Sequence, residues 1–159
     1  MRAAHFPCMV QWIVVVVLGV VVTGAASAGN GRIQIASVVD ESRAGEAVHR
    51  ANTAIVKQAL AGLIAQEHDG GDIRLLDIAV TSLHVATMRD NVVVSAKVRV
   101  TITGDDGTLM HVIAGGARVE IAKRSYHERR LPGLREDALT GAVHAVFTKV
   151  KRTLRADRA

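Results

Sequence analysis

Cysteine, proline and aromatic side chains are scarce in this chain: among 159 residues there are one Cys, two Pro, one Trp, one Tyr and two Phe. Cys8, Trp12 and Phe6 all fall in the first 28 residues, which leaves Tyr126 and Phe147 as the only aromatics beyond them. A domain folded from residue 29 onward has no cysteine for a disulfide, so aliphatic packing must hold it together. Lacking aromatic platforms, it is poorly equipped to stack on sugars or bases, which argues against carbohydrate recognition of that kind and against nucleic acid. A core of Val, Ile, Leu and Ala is the expectation.

What the N-terminus does have is the pattern of an export signal. A basic start at Arg2, an apolar block from Ile13 to Val22 and the small-x-small triplet Ala26-Ser27-Ala28 match what a signal peptidase accepts. Residues 1–28 are therefore expected to be a signal peptide, and residues 29–159 a single exported α+β domain in the periplasm or medium. The competing reading is an uncleaved inner-membrane anchor, because Gln11, Thr23 and Ser27 are the only clearly polar residues from Phe6 to Ala28, and about 20 apolar residues span a bilayer. The strongly apolar block is only ten residues long, however, within the roughly 7–15 usual for a signal. Cys8 follows His5-Phe6-Pro7 rather than a small-residue box, which argues against lipid attachment there, and Arg2 stands alone, which gives no twin-arginine motif. Export sets aside nucleotide cofactors and cytosolic metabolism, and no cofactor is expected.

Hydrophobic periodicity orders the remainder. Ile33, Ile35, Val38 and Val39 lie in a short β-branched run from Arg32 to Val39, read as a first strand. A helix follows, from Ser42 or Glu46 to Gln66, with Val48, Ala51, Ile55, Ala59 and Leu63 on one stripe; Glu67-His68-Asp69 and Gly70-Gly71 close it. Three strands joined by short loops come next, which predicts antiparallel hairpins. The middle one alternates strictly, Val92, Val94, Ala96, Val98, Val100 and Ile102 against Val93, Ser95, Lys97, Arg99, Thr101 and Thr103, and turns at Gly104-Asp105-Asp106-Gly107. Leu76, Ile78 and Val80 are out of phase with Leu83 and Val85, which requires a bulge near Thr81-Ser82. A similar break is expected at Gly115-Gly116, where Met110, Val112 and Ala114 face inward before it and Ala117, Val119 and Ile121 after it; His84 and His111 then lie on the wetter face. Pro132-Gly133 opens a last helix with Leu139, Val143, Val146, Val150 and Leu154 as its stripe, ending near Arg155. The resulting fold class is α+β: a β-α-β-β-β-α order, a four-stranded largely antiparallel sheet with two helices packed on one face, and an opposite face open to water or a partner.

Motifs that would carry chemistry are missing. The six histidines beyond the signal show no metal-ligand spacing. His68-Asp69-Gly70-Gly71-Asp72 and Gly104-Asp105-Asp106-Gly107 are too short to supply the roughly six to eight oxygens of a calcium site and read as turns. Ser37, Ser82, Ser95 and Ser125 lack a nucleophile elbow, and Glu120 and Asp77 have no partner as an acid–base pair. No catalytic residue is assigned, and the chain is read as a non-enzyme.

Charge is the feature with functional colour. Residues 29–122 hold nine Lys/Arg and eleven Asp/Glu, a balance of −2, whereas residues 123–159 hold ten and four, a balance of +6. The candidate anion- or partner-binding residues are Lys97 and Arg99 on the open sheet face, Lys123, Arg124, Arg129 and Arg130 in the connector, and Lys149, Lys151, Arg152 and Arg155 on the last helix. The ordinary alternative is a solvated basic face, with Glu136 and Asp137 in the first turn and cations in the last, as the helix macrodipole favours.

A strand-helix-strand-strand-strand-helix order behind an export signal resembles small periplasmic envelope-assembly proteins, such as the lipopolysaccharide-assembly lipoprotein. The resemblance is architectural, covers nearly all of residues 29–159 and carries over no functional residue; those relatives have a lipobox cysteine at the end of the signal, and this chain does not. Export, the one-sided strand patterning and the +6 segment together lead to the expectation of a non-catalytic envelope binding or assembly factor, with an envelope protein or an anionic glycolipid as partner and only peripheral membrane contact once the signal is removed. Two other classes remain open. One is an exported enzyme whose site gathers scattered residues such as His84, His111 and Glu120. The other is a structural subunit that oligomerises through a sheet edge or the open face.

Overall fold

The computed structural model describes residues 33–43, 45–65 and 73–157. The expected signal peptide, Arg32, and the Glu67-His68-Asp69 and Gly70-Gly71 helix stop lie outside the described residues. The elements run β1 (Ile33–Asp40), α1 (Glu46–Ile64), β2 (Arg74–Thr87), β3 (Asn91–Gly104), β4 (Leu109–Ala122) and α2 (Leu131–Ala156). The connector between β4 and α2 holds two single turns of 3-10 helix, Lys123–Ser125 and Glu128–Arg130. All four strands form one sheet in the order β1-β2-β3-β4. The hairpins β2–β3 and β3–β4 are antiparallel, while β1 pairs with β2 in parallel, because α1 returns the chain to the end from which β1 started.

Both helices cover the same face. α1 lies against β1 and α2, and α2 against β3 and β4. The β3 alternation fixes that face: Val94, Val98, Val100 and Ile102 are fully buried beneath the helices, Val92 and Ala96 nearly so. Leu76, Ile78 and Val80 of β2 join them, and after a register shift at Thr81 so do Leu83 and Val85, placing the bulge where the phase change required it. α2 contributes Leu139, Val143, Val146, Phe147, Val150 and Leu154, with Ala138 and Ala142 allowing close approach.

Two phases differ from the sequence expectation. β4 has no break at Gly115-Gly116; its register shifts beside Met110 instead, so that Ile113, Gly115, Ala117 and Val119 face α2 while Val112 and Ala114 face outward, Val112 57% exposed. The cause is Gly115 itself. A Cβ there would lie 2.8–2.9 Å from the Val146 backbone, so α2 is seated where only glycine fits. The same shift puts His111 on the helix side, where its Nε2 meets Asp157 Oδ2 at 2.9 Å, rather than on the wetter face.

In α1 the buried stripe is Asn52, Val56 and Leu60, flanked by Ile55, Ala59 and Leu63; Ala51 is exposed. A polar residue at the centre of the stripe explains the difference, since Asn52 Nδ2 donates to Asp40 Oδ2 at 2.7 Å and is thereby satisfied when buried. Asp40 Oδ1 also accepts the Ser42 N–H at 2.8 Å, and His49 Nε2 lies 2.8 Å from the Ser42 carbonyl. These bonds fasten the end of β1 to α1. α2 begins at Leu131, so Glu136 and Asp137 fall beyond its first turn, which holds no acidic residue.

Candidate functional site

Among the described residues, no element covers the sheet face opposite the helices. Register places its side chains in rows: Ser37, Asp77, Thr101 and Val112; then Val39, Ala79, Arg99 and Ala114; then Ser82, Lys97 and Gly116; then His84, Ser95 and Arg118. The rows mix small, polar and charged groups. Ser37 Oγ donates to Asp77 Oδ1 at 2.6 Å, and Arg118 and Glu120 form a loose pair at 3.4 Å. Val39, Val112 and Leu109 leave large apolar side chains in water at two margins of the face.

The candidate cations do not form one patch. Lys97 stands exposed at the centre of the open face, and Arg99 beside it is engaged with both Glu41 oxygens at 3.0 and 3.1 Å. Lys123, Arg124, Arg129 and Arg130 gather at the end of the molecule where the connector meets the β2–β3 turn, the Lys123 N–H donating to the Asp90 carbonyl at 2.8 Å. Lys149, Lys151, Arg152 and Arg155 lie toward the other end of α2. At about 1.5 Å rise per residue, Arg130 and Lys149 are roughly 28 Å apart along the helix. Lys149 is also occupied, its Nζ donating to the Ala114 carbonyl of the edge strand at 2.8 Å.

Other constellations separate in the same way. His84 and Glu120 share the open face, but His111 is on the helix side and nine positions from Glu120 along β4, about 30 Å at roughly 3.3 Å per residue. These three residues do not share a site. Among the described residues, no three His, Cys, Asp or Glu side chains come close enough to hold a metal. The described surface depressions are shallow, one beside His127 to Arg130 and one on the outer face of α1 near His49 and Lys57. Among the described residues one carboxyl is perturbed: the Thr108 backbone N–H, with help from the Thr108 hydroxyl, holds Asp106 below the ordinary aspartate value in the β3–β4 turn. That turn closes through Gly107 at φ 79°, a conformation glycine adopts freely.

Sequence reasoning missed two groups. The Asp40–Asn52 bond was hidden because periodicity weighs apolar residues alone. Met88, half exposed in the β2–β3 turn, carries no pattern of its own.

No protein-family model matches the chain, and no curated protein does either. Among solved structures it is similar to rare lipoprotein B from Shewanella oneidensis, with a TM-score of 0.51 at 13% identity over 77% of this chain and 99% of that one. It is also similar to a minor lipoprotein from Acinetobacter baumannii, with a TM-score of 0.44 at 12% identity over 77% and 94%. The first likeness establishes a shared fold: the described residues adopt the α+β architecture of a bacterial lipoprotein. Among the described residues, no helix is long and apolar enough to cross a membrane.

Proposed function

We propose that the chain is an exported, non-catalytic binding or assembly factor of the bacterial envelope, and that its open sheet face receives an envelope protein. The observation that carries this reading is the bare face itself. Fourteen-residue strands β2, β3 and β4 present one side to two helices and the other to nothing among the described residues, with Lys97 exposed at the centre and Val39 and Val112 exposed at the margins. The export pattern at residues 1–28 and the lipoprotein-like fold support the same compartment. A face of this kind gives a partner both charge to recognise and apolar surface to bury.

Photo-crosslinking in cells tests it. A photoreactive side chain at Lys97 or Val112 is expected to give a discrete adduct with an envelope protein, whereas one at Lys57 on the outer face of α1 is not. Mass spectrometry of the purified chain is expected to find Gly29 as the first residue. No adduct from the open face, or a chain recovered in the cytoplasm with Met1 retained, would overturn the proposal.

A further inference from the structure

We infer that the end of the molecule formed by the β2–β3 turn and the β4–α2 connector docks on an anionic bilayer surface. The inference deepens the envelope reading and rests on it for access to a membrane, though not for the identity of any partner on the open face. Its starting point is which of the basic residues the fold already explains. Arg99 is paired with Glu41, Lys149 with a strand carbonyl, and Arg152 and Arg155 sit toward the C-terminal end of α2, where the helix macrodipole favours cations.

The opposite end has no such account. Lys123, Arg124 and Arg129 are exposed, and their side chains make no hydrogen bond or ion pair among the described residues. Arg130 has only a bond from Nη1 to the Ser125 carbonyl at 3.2 Å. Arg129 and Arg130 stand immediately before α2, at the positive end of its macrodipole, with no acidic residue in the first turn to offset them. Cations held there work against the helix, so folding stability does not explain them; an external anion does. The 3-10 turns and the bond from the Lys123 N–H to Asp90 bring Arg89 alongside, giving five cations against the carboxylates of Asp90, Glu128 and the neighbouring Glu120, which is engaged by Asn91 and Arg118. Met88 adjoins them in the turn, 50% exposed, as an apolar side chain able to enter the headgroup layer beneath the ring of charge. A cluster of exposed cations with one exposed apolar group fits a lipid surface better than a single small anion, since each Lys or Arg near such a surface adds separately to binding.

Vesicle sedimentation of the chain, purified as it accumulates in exporting cells, provides the test. Binding to phosphatidylglycerol vesicles is expected, with little to phosphatidylcholine, and it should fade as salt rises. Lys123→Gln/Arg124→Gln/Arg129→Gln should weaken phosphatidylglycerol binding by on the order of a hundredfold, and the charge-reversed Lys123→Glu/Arg124→Glu/Arg129→Glu set should weaken it more. Arg152→Glu/Arg155→Glu at the far end should leave it unchanged. Because Arg129 opposes the α2 macrodipole and Lys123 and Arg124 are exposed without side-chain partners among the described residues, both triple variants should melt no lower than the parent, a result that separates lost docking from lost folding. Parent-like binding by the Glu variant, equal loss from the far-end pair, or equal binding to neutral vesicles would overturn the inference. None of those results bears on crosslinking through the open face.

Discussion

Asn52 is a polar residue at the centre of an apolar stripe, and it stays there because Asp40 accepts its amide at 2.7 Å while Ser42 is held by the other carboxylate oxygen. Removing the donor leaves a partly buried carboxylate short of one bond, a loss of about 1–3 kcal/mol in comparable settings. Asn52→Ala should therefore lower the unfolding free energy by that amount, read by circular dichroism as a lower urea midpoint with an unchanged denaturant dependence. Asp106 carries a pH signature of the opposite exposure. Its folded-state pKa is depressed by the Thr108 N–H and hydroxyl, so its contribution to the turn is present above the unfolded aspartate value and is lost as pH falls through the lower folded value. Carboxyl-detected NMR should find Asp106 titrating below the ordinary aspartate value, about 3.9. In Thr108→Ala the titration should move part of the way back, since the backbone donor remains.

At the scale of elements, the contact between α2 and β4 depends on two missing side chains. Gly115 admits the Val146 backbone, and Gly141 meets Ala117, whose Cβ would be 2.9 Å from any Cβ placed at Gly141. Gly115→Ala must push α2 off the sheet and should cost about 1–3 kcal/mol, as overpacking does, read as a lowered melting temperature with secondary structure retained. This contact also shows where the sequence was legible and where it was not. β3 could be read in full because every inward position is apolar and, Val93 apart, every outward one from Ser95 to Thr103 is polar or charged. β2 could be read through its bulge because Val80 and Leu83 mark the phase on either side. β4 misled because Gly115 has no side chain to mark its face, while Met110 and Val112 imitate an inward pair; the seat of the helix becomes visible only when Val146 is placed above Gly115. For α1 the stripe was displaced for a related reason, a buried amide that hydropathy counts as polar. The candidate cations were legible as residues but not as surfaces, since a sequence lists Arg130 and Lys149 in one basic region while a straight 26-residue helix sends them to different ends.

For the molecule as a whole, two helices on one side of a sheet leave a bare face, and the cluster of Lys123, Arg124, Arg129 and Arg130 sits at one pole of it. The helix layer is completed by α2, which packs on α1 and on the half of the sheet containing β3 and β4. A chain ending after Ala122 keeps all four strands but exposes Val94, Val98 and Ile102, and it should lose cooperative unfolding altogether, seen as a broad melt and dye binding to exposed apolar surface.

The parallel pairing of β1 has a consequence for the order in which the chain is made. Ribosomes deliver β1 and α1 first, yet β1 has no strand to join until β2 follows, and α1 has no helical neighbour until the last element emerges. β1 waits unpaired for β2, and α1 waits for α2 at the far end of the chain. For the export proposed above that delay is useful, since the arrangement that makes the finished domain close late also keeps the nascent one threadable.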